Sequence, residues 1–290
     1  MHFKKVKGIL SVHNGMNLYR GCSHGCIYCD SRSACYQMDH DFEDIQVKSN
    51  AIELLEQKLK SKRSKCMIST GSMSDPYIHI EEDLQMTRKS LEVIEKYGFG
   101  VTLITKSARV LRDIDILKRI NQKSKVVVQM TLTTYDEKLC KVIEPNVSTS
   151  KERFEALLKL KETGIPTVVW LGPILPYIND TEENLRGILD YCIQAEVKGI
   201  IYFGMGMTLR QGNREYFYKK LDQYFPGLKQ RYQKEFGLQY SFGSPNTKKL
   251  SKIFFDTCKK YGIESNNKKV FAYLGEFPQE KEVKQLSLSF

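Results

Sequence analysis

Cys22, Cys26 and Cys29 stand as C-x3-C-x2-C in the stretch NLYRGCSHGCIYC, residues 17–29, and are three of the eight cysteines in the chain. Thiolates this close in sequence can converge on one inorganic centre. A [4Fe-4S] cluster is normally held by four cysteines, so three would leave one iron open to a further ligand. Gly21 and Gly25 let the loop fold back where a Cβ would restrict it. The competing reading is a zinc knuckle, which wants a fourth protein ligand; His24 lies inside the loop and could serve.

Such a loop needs a scaffold, and the remaining sequence supplies one. Residues 1–14 read as a lead-in and residues 16–20 as a short strand feeding the loop. Ile52, Leu55 and Leu59 recur at helical spacing over 49–60. Strands are predicted over 66–70, 100–106, 125–133, 167–171 and 199–204. Helices are predicted over 83–97, 109–120, 150–163, 181–195 and 213–225, with Gly164 stopping the third of these. Strands alternating with helices imply βαβ units and a parallel sheet. The predicted fold is α/β, a partial (β/α)6 TIM-type barrel with a C-terminal extension. Residues 1–212 form the barrel, with the cysteine loop at 17–35. Residues 213–290 add the last barrel helix and a basic, aromatic extension, including a helix over 247–260 capped by Asn246. Ligands of such sheets gather at the C-terminal strand ends. The loop, the turn at 71–77, Thr105, Lys106, Thr131 and Thr133 therefore share one rim.

Composition limits the alternatives. The chain has 290 residues, 41% of them hydrophobic, enough for a substantial core. No run of about 18 apolar residues predicts a membrane span. The basic N-terminus lacks the apolar stretch of a signal peptide, so a cytoplasmic location is expected. Cys35, Cys66, Cys140, Cys192 and Cys258 are scattered, unlike a secreted disulfide framework. The net charge is +11, and residues 219–290 hold 14 Lys/Arg against 7 Asp/Glu. Basic charge with interleaved aromatics suits a nucleic-acid surface, although a solvated lysine face reads the same way.

The C-x3-C-x2-C spacing with Tyr28 just before its last cysteine resembles the cluster loop of the radical S-adenosylmethionine (radical SAM) enzymes. Further landmarks, in order, are Ser74-Asp75-Pro76-Tyr77, Thr87-Arg88, Thr105-Lys106-Ser107, Arg112-Asp113, Glu144-Pro145, Arg153 and Pro173-Ile174-Leu175-Pro176. Across residues 15–200 they resemble the photolyase-like subfamily that contains spore photoproduct lyase. The resemblance implies a [4Fe-4S] cluster on Cys22, Cys26 and Cys29, with S-adenosylmethionine on its open iron. It implies reductive cleavage to methionine and a 5'-deoxyadenosyl radical that abstracts hydrogen from substrate. A low-potential donor such as flavodoxin or ferredoxin would supply the electron. Ser74 resembles the contact to the cofactor's amino group, and Lys106 the partner of its carboxylate. Thr131 or Thr133 would reach the carboxylate or ribose, and Tyr28 would pack on the adenine. Ser72 and Arg153 complete the cofactor-binding set.

Each of these residues also has a structural reading: Lys106 as a solvated strand-end lysine, Thr131 and Thr133 as ordinary β-branched strand residues, Tyr28 as core, and Arg153 paired with Glu144. The chain also departs from the lyase. Where the lyase has its hydrogen-donating cysteine, two residues before the Ser-Asp pair, this chain has Ser72, and a hydroxyl hydrogen is far harder to give up as an atom. Cys66, expected deeper in the barrel, and Cys140, expected near the rim, are the substitute candidates; small buried cysteines are the alternative. A substrate other than a thymine dimer is expected, with nucleic acid the first candidate. The rival functions are a non-enzymatic iron–sulfur electron-transfer or sensing protein and a zinc-binding nucleic-acid module.

Overall fold

The computed structural model describes residues 1–278; the rest of the expected extension, residues 279–290 with Lys281 and Lys284, lies outside the described residues. In chain order the strands are β1 (His2–Lys4), β2 (Gly15–Met16), β3 (Tyr19–Arg20), β4 (Gln46–Lys48), β5 (Met67–Thr70), β6 (Gly100–Thr105), β7 (Val126–Leu132), β8 (Thr167–Leu171), β9 (Gly199–Tyr202), β10 (Gly206–Thr208) and β11 (Ser241–Gly243). The α-helices are α1 (Ala51–Ser61), α2 (Glu81–Leu84), α3 (Met86–Lys96), α4 (Ile114–Lys123), α5 (Glu137–Ile143), α6 (Ser150–Glu162), α7 (Glu182–Gln194), α8 (Asn213–Tyr224), α9 (Leu228–Phe236), α10 (Thr247–Tyr261) and α11 (Asn267–Gly275).

Six strands form one sheet in the order β2-β5-β6-β7-β8-β9, every neighbouring pair parallel. This is the partial TIM-type arrangement, open rather than closed. Each strand is too short to be stable alone, and the sheet is held by what covers its two faces. Along β6 to β9 the residues Val101, Leu103, Val128, Met130, Val169 and Ile200 pack against α3, α4, α6 and α7 in one continuous core. Their alternates, Val127, Val168 and Ile201, point to the opposite face and meet Val270 and Leu274 of α11. The C-terminal helix thus lies inside the concave face that a closed barrel would fill with its own side chains.

The helix is tied there at both ends. Ile200 N donates to Glu264 O at 2.9 Å. The Asn267 side chain accepts from Tyr202 N and donates to Tyr202 O, at 3.0 and 2.8 Å, as a neighbouring strand would. At the other end the Lys125 ammonium donates to the carbonyls of Tyr273 and Glu276, complementing the helix C-terminus.

Several boundaries differ from the sequence expectation for identifiable reasons. The strand expected over 16–20 is split: β2 joins the main sheet, whereas β3 pairs antiparallel with β4, and β4 pairs parallel with β1. The lead-in therefore contains a strand. The helix expected over 83–97 begins at Glu81 and breaks at Gln85, which adopts φ 50°. The helix expected from 109 begins as a 3-10 turn, Ala108–Asp113. α5, α9, α11 and the antiparallel pair β10–β11 lie in stretches where the sequence predicts loop or extension. Where local signals are strong the match is close: α6 starts at a capping box between Thr149 and Glu152 and α7 at Thr181, whose side chain accepts from Asn184 N.

Candidate active site

β3 delivers the chain into the cysteine loop, and three neighbours then hold the loop's backbone. Cys22 N donates to Phe42 O at 3.1 Å, Ile27 N to Ile143 O at 3.0 Å, and Asn146 N to His24 O at 3.1 Å. Asn146 Nδ2 adds a bond to Ser23 O at 3.0 Å. Gly21 has φ +88°, and a Cβ there would stand 2.5 Å from Phe42 O, so no side chain fits.

Turns from the ends of β5 and β6 close over the loop. Ser74 Oγ donates to Gly21 O at 2.6 Å. Asp75 joins three segments: its Oδ1 accepts from Tyr77 N and Thr105 Oγ1, both at 2.8 Å, and its Oδ2 accepts from Lys106 N at 2.7 Å. The same Oδ2 lies 3.5 Å from His24 Nδ1. His24 is buried, and its Nε2 has no hydrogen-bond partner.

The third wall is a buried ion pair. Glu144 and Arg153 are both about fully buried and bonded to each other. The Tyr28 hydroxyl donates to Glu144 Oε1, and Thr133 Oγ1 donates to the same oxygen at 3.0 Å. Arg153 donates further to Thr131 O and Ser148 O, both at 2.8 Å, and to Cys140 Sγ at 3.2 Å. Burial pushes the Glu144 carboxyl up, but Arg153, Lys106 and Tyr28 outweigh it and hold it down at about 2. Burial also pulls the Lys106 ammonium down, and Cys26, Glu144 and Cys29 more than reverse this, so it stays above an ordinary lysine. Its Nζ lies 5.9 Å from the centroid of the Tyr28 ring.

Burial pushes the Cys22 thiol up to about 12, with Asp75 and Cys29 adding to it, and pushes Cys26 well above the ordinary range. Such thiols ionise on meeting a cation rather than as free nucleophiles. Zinc at about 2.3 Å from each sulfur would bring two thiolates within about 3.8 Å of one another. Among the described residues, no three of Cys22, Cys26, Cys29 and His24 have ligand atoms all within 4.8 Å. The three thiols, the glycine turns and the neighbouring ammonium fit an iron–sulfur cluster with one iron left open to a further ligand.

The expected residues do not all meet. Cys22, Cys26, Cys29, Tyr28, Ser74, Lys106, Thr133 and Arg153 form one constellation. Arg153 is in its second layer, fully enclosed; this corrects the expectation of a cofactor contact in favour of the structural pairing with Glu144. The hydroxyl of Tyr28 is likewise committed to Glu144. Cys140 sits on α5, buried against Arg153 and Glu144. Cys66 is a second correction: it precedes β5 at the end opposite the loop, four residues and roughly 13 Å of strand from Thr70. Ser72 is exposed at a cavity of about 390 Å³ on the concave face, shared with Ser69, Thr102, Gln129, Trp170 and Phe271. There Trp170 Nε1 donates to Gln129 Oε1 at 2.7 Å and Gln129 Nε2 to Thr102 Oγ1 at 2.8 Å.

Sequence reasoning missed that cavity wall, the roles of Asn146 and Asp75, and a second buried set. In the latter, Glu81 accepts from Tyr19 Oη, Thr87 N and Arg112, while Asp113 accepts from Arg88 and Arg112. Several of these residues were visible as landmarks, but not their shared task of holding β3 behind the loop.

Comparison with known proteins agrees with this geometry. An uncharacterised protein of Methanocaldococcus jannaschii is 35% identical over 169 residues, 58% of this chain and 62% of the relative. The radical SAM Nalpha-GlyT isomerase of Pseudomonas phage M6 is 23% identical over 58% of this chain and 34% of its own. The chain thus spans less than two thirds of the length of these curated relatives. Spore photoproduct lyase shares the fold, with a TM-score of 0.62 at 16% identity over 90% of this chain and 79% of the lyase. Another structure of that lyase, with bound AdoMet and dinucleoside spore photoproduct, gives 0.58 at 16% identity over 86% and 74%. The sequence pattern of the Radical SAM superfamily matches residues 16–220. With three loop thiols, an adjoining ammonium and an open parallel sheet, the chain belongs to the Radical SAM superfamily, whose cofactors are a [4Fe-4S] cluster and S-adenosylmethionine.

Proposed function

We propose that this protein cleaves S-adenosylmethionine reductively and directs the resulting radical to a nucleic-acid substrate. The observation that carries the proposal is the convergence of Cys22, Cys26 and Cys29 with Lys106 at the C-terminal ends of the strands. In this reading the three thiolates hold the cluster, which supplies the electron that yields a 5'-deoxyadenosyl radical from the cofactor. Lys106 meets the cofactor carboxylate as a charge-assisted donor. Ser74 keeps an oxygen lone pair for the amino group while its proton fixes Gly21. Thr133 and Tyr28, held by Glu144, shape the adjacent wall, Ser72 lies at the cavity, and Thr131 holds Arg153 through its carbonyl. A donor of the flavodoxin or ferredoxin class delivers the electron.

The nucleic-acid part rests on the chain's net charge of +11, on the aromatic cavity wall, and on the ligand named for the lyase structure. Phe203, 71% exposed, lies 5.9 Å from Trp170 and 6.2 Å from Phe271 between ring centroids, an arrangement on which a base can stack. Residues 213–290 act in this proposal as the extension that shapes substrate entry.

The test is anaerobic. Reconstituted and reduced protein is expected to form 5'-deoxyadenosine from S-adenosylmethionine, with DNA or RNA raising the rate and acquiring a nucleoside mass change. A reducible cluster with no cofactor binding would instead indicate an electron-transfer or sensing protein. Lys106→Ala is expected to keep full iron content but weaken cofactor binding roughly 10–100-fold, the scale of a lost hydrogen bond to a charged group. Unchanged affinity in a binding titration would remove Lys106 from the site.

A further inference from the structure

A second cluster of ligating side chains lies away from the cysteine loop. His2 on β1 and His40 and Asp44 in the segment leading to β4 bring two imidazoles and a carboxylate together. One ligand atom from each falls within 4.8 Å of the others. The His2 and His40 rings meet edge to face at 4.8 Å, and His2 Nδ1 lies 2.9 Å from Asp44 Oδ2. We propose that His2, His40 and Asp44 form a binding site for a zinc-type divalent cation.

An independent feature points the same way. His40 Nδ1 donates to Asp41 O at 3.0 Å, which leaves Nε2 as the ring nitrogen open to a cation. That Nε2 is buried and has no hydrogen-bond partner, on a side chain only 11% exposed. A metal-ligating histidine characteristically donates its other ring N–H to a backbone carbonyl, which orients the ring and raises its basicity. The arrangement at His40 has that form already. The nearest carboxylate oxygen, Asp39 Oδ1, is 3.9 Å away, too far for a hydrogen bond.

Two imidazoles and one carboxylate suit zinc and related borderline cations, whereas magnesium prefers an all-oxygen shell. The three ligand atoms already lie within 4.8 Å of one another, so meeting the roughly 3.3 Å between neighbouring ligands of a tetrahedral zinc needs side-chain adjustment only. The Asp44 carboxylate now also contacts the Met1 amino group at 2.6 Å, so the incoming cation displaces that contact.

The location gives the cation a structural role. His2 and the 39–44 segment belong to different parts of the chain, joined by the pairing of β1 with β4. Phe42, between His40 and Asp44, supplies the carbonyl that receives Cys22 N. A metal at this point would pin the segment on which the cysteine loop rests. The inference does not depend on the radical reaction.

The count is made on iron-replete protein, because free loop thiols would take zinc themselves. Zinc is measured by elemental analysis and by competition with a chromophoric chelator. One zinc per chain is expected, with little competition from a large excess of magnesium. His40→Ala and His2→Ala should each weaken zinc at least 10-fold with iron content unchanged. Zinc should also raise the melting midpoint of the wild type and not of His40→Ala. The same count on a variant with Cys22, Cys26 and Cys29 all replaced by Ser separates this result from any failure to load iron. No zinc on the wild type, or equal affinity in His40→Ala, would overturn the site and leave His2–Asp44 an ordinary hydrogen-bonded pair.

Discussion

Arg153→Met is expected to destabilise the fold by about 3–5 kcal/mol, the usual consequence of stranding one partner of a buried ion pair. Glu144 would keep Tyr28 and Thr133 as donors and the Lys106 charge nearby, but lose its directly bonded counter-charge in a site closed to water. Thermal melting should fall by roughly 6–20 °C at about 2–4 °C per kcal/mol. The partner test is the double variant Arg153→Met with Glu144→Gln. Removing both charges restores neutrality, so it should recover much of the loss, and the cycle measures the coupling. A double variant as unstable as the single would show that packing, not charge, sets the cost. The pH dependence has a definite sign. Glu144 sits at about 2 in the fold against an ordinary 4.5, so its stabilising contribution is complete above about 4.5 and disappears as pH falls toward 2. Wild-type protein should show that acid limb, and Arg153→Met should lack most of it.

Cys26→Ala is expected to abolish both iron incorporation and S-adenosylmethionine cleavage. Two remaining thiols cannot enclose a cluster that normally takes four cysteine ligands and here has three. Iron analysis and the visible absorption of the reconstituted protein check it; a full cluster in the variant would defeat the ligand assignment. Cys66→Ala is the control. Its thiol is at the far end of β5, so iron content and turnover should both match the wild type.

The sequence made the barrel legible because its strands and helices announce themselves separately. β7 reads as a near-continuous apolar run, and α6 and α7 start at side chains that cap them. The three cysteines were legible because their spacing is local. What could not be read was the network behind them. Glu144 and Tyr28 are 116 residues apart, and no periodicity signals that the carboxylate of one meets the hydroxyl of the other. The landmark position of Arg153 allows either a cofactor contact or a pairing with Glu144, and it says nothing about the burial that decides for the pairing. Period-two spacing puts Cys66 on the face of Ser72 only within a continuous strand, and β5 starts after Cys66 and ends before Ser72. α11 was missed because nine residues with mixed polarity resemble a tail until the concave sheet face beneath them is known.

The seal on β9 has a consequence for how the protein is made. Tyr202 is synthesised well before Glu264 and Asn267, the residues that cover its outer edge. At roughly 5–20 residues per second on the ribosome, that edge waits several seconds with unpaired backbone groups. For that interval the nascent barrel presents an open strand edge and an uncovered apolar hollow, both templates for association with other chains. Folding of the nascent protein is therefore most vulnerable not while the cysteine loop forms near the beginning, but in the stretch between completion of the sheet and arrival of α11.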